Sequence, residues 1–328
     1  MKLAARSPTR VDLAGGTLDC WPLYTLVGGA KTTNLAISVS TMVELEVTPE
    51  STAIDLQIED LNYHKKFPDL FAALGSLDPQ MGVIRAQLKF WQPKTGFKLR
   101  TRSESPVGGG LGGSSSLCVS LIKVFSELMN KNYSTSAKVE LAHNLEAEVL
   151  LKPTGTQDYF PAIEPGLNII HYEMTGPRLE RVNCGLDFFR ERMILVYTGQ
   201  PHHSGLNNWQ VIKAAIDGDQ KTVKALQEIK RIGDVMAETC LTQAWDRLPG
   251  LFREEFVARV QLSAGFSSSR IEELERLSLK AGADAVKICG AGGGGCVLIW
   301  AQPERKGQVA ESCRQNGFQI LDADPVGG

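Results

Sequence analysis

Ser105-Pro-Val-Gly-Gly-Gly-Leu-Gly-Gly-Ser-Ser-Ser116 packs five glycines and three consecutive serines into one short run. Residues without a Cβ let several backbone N–H groups converge on an anion. A helix starting at the end of such a run adds its unpaired first N–H groups and the positive end of its dipole. The run predicts a polyphosphate cradle, since a merely flexible turn has no use for so many glycines ahead of cap-capable serines. A Walker A loop is excluded because no Gly-Lys dipeptide occurs in the chain. Gly108-x-Gly110-x-x-Gly113 and Gly290-x-Gly292-x-x-Gly295 match the dinucleotide fingerprint by letter. The first is followed by a polar turn and a second helix, the second by a strand, so neither opens a strand–helix–strand unit.

Three further segments could carry chemistry. Glu146 and Asp158 stand 12 residues apart, one on a helix and one in the loop Gly155-Thr-Gln-Asp158 that follows. Phosphoryl transfer needs a Mg²⁺ ligand and a group that orients or deprotonates the attacking hydroxyl. Two carboxylates so placed can converge on a metal–phosphate site, although such pairs are more often solvated. Arg6-Ser-Pro-Thr-Arg-Val-Asp-Leu-Ala-Gly-Gly-Thr-Leu-Asp19 reads as a basic strand end, a double glycine and an acid. Taken alone, it fits an ordinary edge strand and turn equally well. Lys287-Ile-Cys-Gly-Ala-Gly-Gly-Gly-Gly-Cys296 places four consecutive glycines between two strands, which permits close approach of a ligand or of another backbone.

The elements that must position these groups follow from periodicity. Residues 35–47 and 52–60 alternate and are rich in β-branched side chains, and 96–103 forms another strand before the glycine run. Leu117, Leu121, Phe125 and Leu128 recur at helical spacing over 114–131, with serine available as the N-cap, and a second helix covers about 136–151. A Pro/Gly loop over 152–162 leads to strands near 166–173 and 192–197; 207–245 is helical in pattern, and 267–282 is a capped helix. A boundary near 175–190 is expected, dividing the chain into domains 1–182 and 183–328.

Composition narrows the class. The 328 residues are 43% hydrophobic and 22% charged, with a formal net charge of −2 and no long basic run, so a nucleic-acid partner is unsupported. Seven scattered cysteines without a CxxC pair predict reduced, mostly buried thiols rather than disulfides or zinc ligands. The N-terminus lacks the apolar run of a secretory leader, and no stretch approaches the roughly 18 apolar residues of a membrane span. A cytoplasmic protein without a membrane partner is expected.

In order, RSPTRVDLAGGTLD, PVGGGLGGSSS, LEAEVLLKPTGTQDYF, ILVYTG, GFSSSRIEEL and KICGAGGGGCVL resemble the motifs of the galactokinase, homoserine kinase, mevalonate kinase and phosphomevalonate kinase superfamily, the GHMP kinases. Their style is that of the D-glycero-D-manno-heptose-phosphate kinase-like sugar kinases, and the likeness runs from about residue 5 to residue 300. The resemblance implies an α+β, two-domain GHMP kinase fold, with a ribosomal protein S5 domain 2-like N-terminal domain and a ferredoxin-like C-terminal domain. It also implies ATP and Mg²⁺ in the cleft between them. Asp158 would orient or deprotonate the acceptor hydroxyl, with Arg10 beside it keeping the carboxylate ionised and stabilising the transferring phosphoryl group. Pro106, Gly108, Gly109, Gly110, Leu111, Gly112, Gly113, Ser114 and Ser115 would wrap the nucleotide phosphates. Ser114 and Glu146 would hold the metal; Asp19, Gly16, Gly292 and Gly293 would meet the acceptor.

Three departures from the family pattern bear on the substrate. Gly113 stands where the first serine of the loop is usual, which leaves Ser114 or Ser115 as the metal ligand. The first motif reads Gly-Gly-Thr-Leu-Asp rather than Gly-Gly-Gly-Thr-Asp. After the Tyr-Thr-Gly segment an Arg-Ser pair is expected, but the chain has Gln200-Pro-His-His-Ser204, and His202 and His203 are weaker phosphate binders than arginine. Lys31 reads as a solvated lysine, with a compensating phosphate contact as the alternative. The expected activity is transfer of the γ-phosphoryl of Mg-ATP to a hydroxyl of a hexose or heptose, free or phosphorylated, by a monomer or homodimer. A kinase for mevalonate or homoserine, or a non-catalytic ATP- or sugar-binding sensor of the same fold, are the alternatives.

Overall fold

The computed structural model describes residues 1–201, 204–290 and 292–327. Its first half builds one mixed sheet from β1 (Lys2–Ala14), β2 (Ala30–Thr48), β3 (Ile54–Ile58), β4 (Tyr63–Phe67), β5 (Gly96–Ser103), β6 (Leu167–Glu173) and β7 (Gly176–Val182). The order is β4-β3-β5-β2-β6-β7, with β1 also paired to β2. All pairings are antiparallel except β3 with β5. At 19 residues β2 is long enough to serve several partners. It pairs with β1 from Thr33 to Glu46, with β5 through its C-terminal half and with β6 through its N-terminal half.

Six helices accompany this sheet: α1 (Leu23–Leu26), α2 (Leu70–Leu74), α3 (Gly82–Trp91), α4 (Gly113–Leu128), α5 (Thr135–Leu150) and α6 (Tyr159–Ile163). α4 is central, packing on β1 and β2 and against α3, α5 and α6. Cys118, Val119, Leu121, Ile122, Val124 and Phe125 are all buried. A helix apolar on most sides is stable only in the middle of a core. Each such aliphatic or aromatic burial contributes about 1.5–3 kcal/mol, so the N-terminus of α4 is held firmly where it meets the glycine run.

The second half carries α7 (Asp187–Arg190), β8 (Met193–Tyr197), α8 (Ser204–Ile216), α9 (Gln220–Leu241), α10 (Leu248–Leu262), α11 (Ser269–Lys280), β9 (Ala285–Ile288), β10 (Cys296–Trp300), α12 (Pro303–Gln315) and β11 (Gln319–Leu321). Its strands form an antiparallel sheet in the order β11-β8-β10-β9. The segment 207–245, helical in pattern, is two helices interrupted at Gly218, which has a positive φ of 80°. α9 and α10 lie against β1, and α9 also lies against β2, so the halves share an extensive boundary. The chain end crosses back: Ser38 N donates to Asp324 O at 2.7 Å, and Val326 N donates to Ala36 O at 2.9 Å. All seven cysteines are unpaired, and all but the half-buried Cys184 are buried. Among the described residues no helix is long and apolar enough to cross a membrane.

Candidate active site

A cavity of about 410 Å³ lies where the glycine run, the start of β1's following loop and α10 meet. The N-terminus of α4 forms one end of it. Three of the longer helices are capped by side chains: Ser134 accepts from Ala137 N, Asp219 from Thr222 N and Ser268 from Ile271 N. The N-cap of α4 is Gly112, and no side chain bonds to its first N–H groups. The sequence offered a serine for that place. Instead the serines fall inside the first turn, and the uncapped donors face the cavity with Ser114 and Ser115.

Gly112 has a φ of 74°, and a Cβ there would lie 2.9 Å from the carboxyl carbon of Asp158. Only glycine satisfies both the backbone conformation and the approach of that carboxylate. Asp158 is in turn gripped by Arg10, whose Nε donates to Oδ1 at 2.7 Å. Arg10 Nη1 donates to the carbonyls of Gly110 at 2.6 Å and Cys289 at 2.7 Å, and its backbone N–H donates to Leu111 O at 3.0 Å. One buried guanidinium thus ties β1, the glycine run, the Asp158 loop and the second glycine segment together. Burial opposes its charge, but the neighbouring carboxylates of Asp158 and Asp12 outweigh that, and its pKa is raised. The Asp158 side chain keeps 22% of its surface exposed, into the cavity.

Glu146, one turn from the end of α5, is buried. Its Oε2 accepts from Ser115 Oγ at 2.7 Å and from Tyr159 OH at 2.6 Å, and Ser114 borders the same cavity. Burial pushes the carboxyl up, partly offset by those hydroxyl donors. Among the described residues no group of three or more His, Cys, Asp or Glu side chains converges to hold a metal alone. One carboxylate beside serine hydroxyls is instead an incomplete, all-oxygen donor set, which suits a hard cation that shares its shell with phosphates.

At the other end stand Asp19, Asp12, Thr17, Gln157, Asn208 and Arg259. Asp19 Oδ2 accepts from Gln157 N at 3.2 Å. A Cβ on Gly155 would stand 1.8 Å from that oxygen, so the glycine is what lets the loop close on Asp19. Burial first, and the charge of Asp158 second, push Asp19 up to about 6. Behind this end lies a closed cluster: Arg259 Nη2 donates to Asp12 Oδ2 at 3.0 Å and Nε donates to Glu255 Oε1 at 2.7 Å. Lys287 Nζ donates to Asp12 O at 2.5 Å and lies 3.6 Å from Glu255 Oε2.

Arg10, Ser114, Ser115, Glu146, Asp158, Asp19, Pro106, Gly108, Gly109, Gly110, Gly112 and Gly113 all border the one cavity. Leu111, Gly16, Gly292 and Gly293 do not border it. Leu111 is buried below the run. A Cβ on Gly16 would strike Asp12 Oδ2 at 2.4 Å, and on Gly292 the carbonyl of Phe266 at 2.2 Å; Gly293 faces Gly265 O at 2.6 Å. These glycines serve close packing, and of the second segment it is Gly290 that reaches the wall. Lys31 pairs with Asp234 at 3.1 Å away from the cavity. His202 and His203 lie outside the described residues.

Asp12 had a signal in the sequence, two residues after Arg10 on the same face of a strand. Glu255, Arg259 and Lys287 had none, because a polar residue on an amphipathic helix or strand reads as solvent-facing.

Residues 77–166 match the family described as GHMP kinases N terminal domain, and residues 222–319 match GHMP kinases C terminal. The chain is 26% identical to D-glycero-alpha-D-manno-heptose 7-phosphate kinase of Campylobacter jejuni, over 98% of this chain and 95% of that one. It is 25% identical to mevalonate kinase of Pyrococcus furiosus, over 97% and 94%. In fold it is similar to a D-glycero-D-manno-heptose 1-phosphate kinase from Bacteriodes thetaiotaomicron, with a TM-score of 0.79 at 20% identity over 100% and 97% of the two chains. Lactococcus lactis galactokinase complexed with galactose superposes equally well, with a TM-score of 0.79 at 16% identity over 100% and 94%. With both halves matched, an uncapped helix N-terminus at the glycine run and a carboxylate held beside it, the chain belongs to the GHMP kinase family and is a phosphotransferase acting on an alcohol group.

Proposed function

We propose that the chain transfers the γ-phosphoryl group of Mg-ATP to a hydroxyl of a hexose or heptose, free or already phosphorylated. The observation that carries this reading is the placement of Asp158: its Oδ1 is held by Arg10, and its Oδ2 stands against Gly112 at the foot of the uncapped helix. In this reading the acceptor hydroxyl donates to Asp158 Oδ2. As its oxygen bonds to the γ-phosphorus, the bond from that phosphorus to the β,γ-bridging oxygen breaks. The hydroxyl proton passes to the carboxylate and then to solvent. Arg10, fixed by the Gly110 and Cys289 carbonyls, holds Asp158 in place and stabilises charge on the transferring phosphoryl group without rearranging. The free N–H groups of Gly113, Ser114 and Ser115 and the α4 dipole receive the nucleotide phosphates. Ser114 and Glu146 would hold Mg²⁺, which neutralises charge on the β- and γ-phosphates when bound.

Support for a sugar over another alcohol comes from the acceptor end, where Asp19, Gln157 and Asn208 border the cavity beside Thr17. A carboxylate and amides suit several hydroxyl donors. Residues 1–182 and 183–328 act in this account as two domains closing over the cleft. The test is ADP release with Mg-ATP against free hexoses, hexose and heptose phosphates, mevalonate and homoserine, with the product located by phosphorus NMR. Turnover with a sugar or sugar phosphate is expected. Turnover confined to mevalonate or homoserine, or Mg-ATP binding with silence across the panel, would overturn the sugar-kinase reading.

A further inference from the structure

Behind the loop 154–157 lies a second cavity of about 350 Å³ that meets the first at Asp19, the residue bordering both. The loop itself is the partition. Thr154, Gly155 and Gln157 face the first cavity and Thr156 the second, while Gly155 bridges to Cys20. The far walls are aromatic. Trp21 and Tyr24 follow Asp19 in the chain, and Tyr172 comes from β6. The rings of Tyr24 and Tyr172 lie with centroids 5.5 Å apart at 33°, and Trp21 leaves 63% of its surface in water. An exposed indole at the rim of a cavity is the informative kind of exposure, since burying it would be favourable.

Between the rings stand groups that hydrogen-bond without positive charge. Asp19 and Glu140 supply carboxylates, Ser136 and Thr156 hydroxyls, and no lysine or arginine borders the cavity among the described residues. His143 is pushed down by burial, against the opposing bond to Thr154 O at 3.1 Å, so it adds no cation at neutral pH. A phosphate has nothing to hold it there. Aromatic faces for C–H surfaces and carboxylates that accept from adjacent hydroxyls are what an uncharged sugar ring requires. The volume lies at the lower end of the range for small-ligand sites.

The geometry points to a second carbohydrate subsite, walled by Trp21, Tyr24 and Tyr172 and sharing the Asp19 side chain with the acceptor end, which takes an uncharged sugar ring or polyol chain. It rests on the sugar-kinase reading above. The occupant is either the part of the acceptor remote from the phosphorylated hydroxyl or a separate sugar molecule.

The experiment uses the full chain with glucose, galactose, mannose and disaccharides of each as probes, by calorimetry and by steady-state kinetics. Two variants are compared with the parent. Trp21→Ala removes the exposed indole, and Ser136→Trp plugs the mouth from an exposed helix position. If the acceptor itself fills the subsite, both variants raise its KM by roughly five- to tenfold with Mg-ATP affinity unchanged. If a separate sugar fills it, the parent binds two equivalents of sugar per chain, and both variants lose one of them. Sugar binding that depends on Trp21 in a chain with no sugar turnover would support the subsite and refute the kinase reading. Turnover of a sugar with KM and stoichiometry untouched by either variant, or no sugar binding at all, would overturn the subsite.

Discussion

Two buried ion clusters lie side by side in this molecule, and they differ in how far they are closed. Arg10 and Asp158 form an open pair in which the carboxylate still meets the cavity with 22% of its surface. Asp12, Glu255, Arg259 and Lys287 form a closed one, with every side chain at 1% exposure or less. In the closed cluster two cations and two carboxylates balance, although Asp12 Oδ1 and Glu255 Oε2 accept no hydrogen bond. It joins β1 of the first half to α10 and β9 of the second, so its charges fix how the halves meet. The open pair ties loops together at one wall and leaves an oxygen for chemistry. Exposure of one carboxylate, more than the presence of an ion pair, separates a group that can react from one that can only hold.

The closed cluster carries the largest expected effect on stability. Arg259→Met leaves two buried carboxylates facing Lys287 alone and should cost about 3–5 kcal/mol of stability in urea unfolding. A loss under about 1 kcal/mol, as at a surface pair, would mean that water reaches the cluster. Next, Gly112→Ala puts a Cβ against Asp158 at a φ of 74°. It should lower kcat/KM by roughly 100-fold or more through misplacement of the carboxylate; normal kinetics would detach the open pair from the glycine run.

Asp19 sits between the clusters, and its carboxyl is raised from 3.8 to about 6, by burial first and then by the charge of Asp158. The folded chain therefore keeps a proton there that the unfolded chain has released. This group costs nothing below pH 4, stability falls as pH rises from about 4 to 6, and the cost is fully present above that. Asp19→Asn removes it and should stabilise the protein at pH 7 by up to about 3 kcal/mol, with a flatter dependence between pH 4 and 6. An unchanged slope in urea midpoints across that range would contradict the assignment. The smallest effect is expected at Glu146, where Glu146→Gln should raise the Mg²⁺ concentration needed for half-maximal rate by roughly tenfold. An unaltered requirement would remove Glu146 from the metal site.

The open pair was legible through the family resemblance and the closed cluster was not. Arg10, Ser114, Glu146 and Asp158 lie in segments that resemble the GHMP kinase motifs, although the segment of Arg10 alone reads equally well as an edge strand and turn, and the structure brings all four to one cavity. Arg259 lies 247 residues from Asp12 in the chain, and nothing local distinguishes it from a solvated arginine on α10. The fold shows the same division. α4 and α5 follow from periodicity and begin one residue before their expected starts. β3 falls within the expected 52–60, but the edge strands β4 and β7, the latter of sequence GPRLERV, went unseen because edge strands carry polar side chains without strong alternation. α8 and α9 read as a single helical stretch because only Asp217, Gly218 and Asp219 separate them, too few residues to interrupt the pattern.

Asp158→Asn tests the central claim most directly, with turnover on the best acceptor and calorimetric Mg-ATP binding measured on the same preparation. The account predicts kcat lowered by roughly 10³-fold with Mg-ATP affinity nearly intact, because the uncapped α4 end still receives the phosphates. An unchanged kcat would take Asp158 out of the mechanism and leave the open pair as one more structural contact.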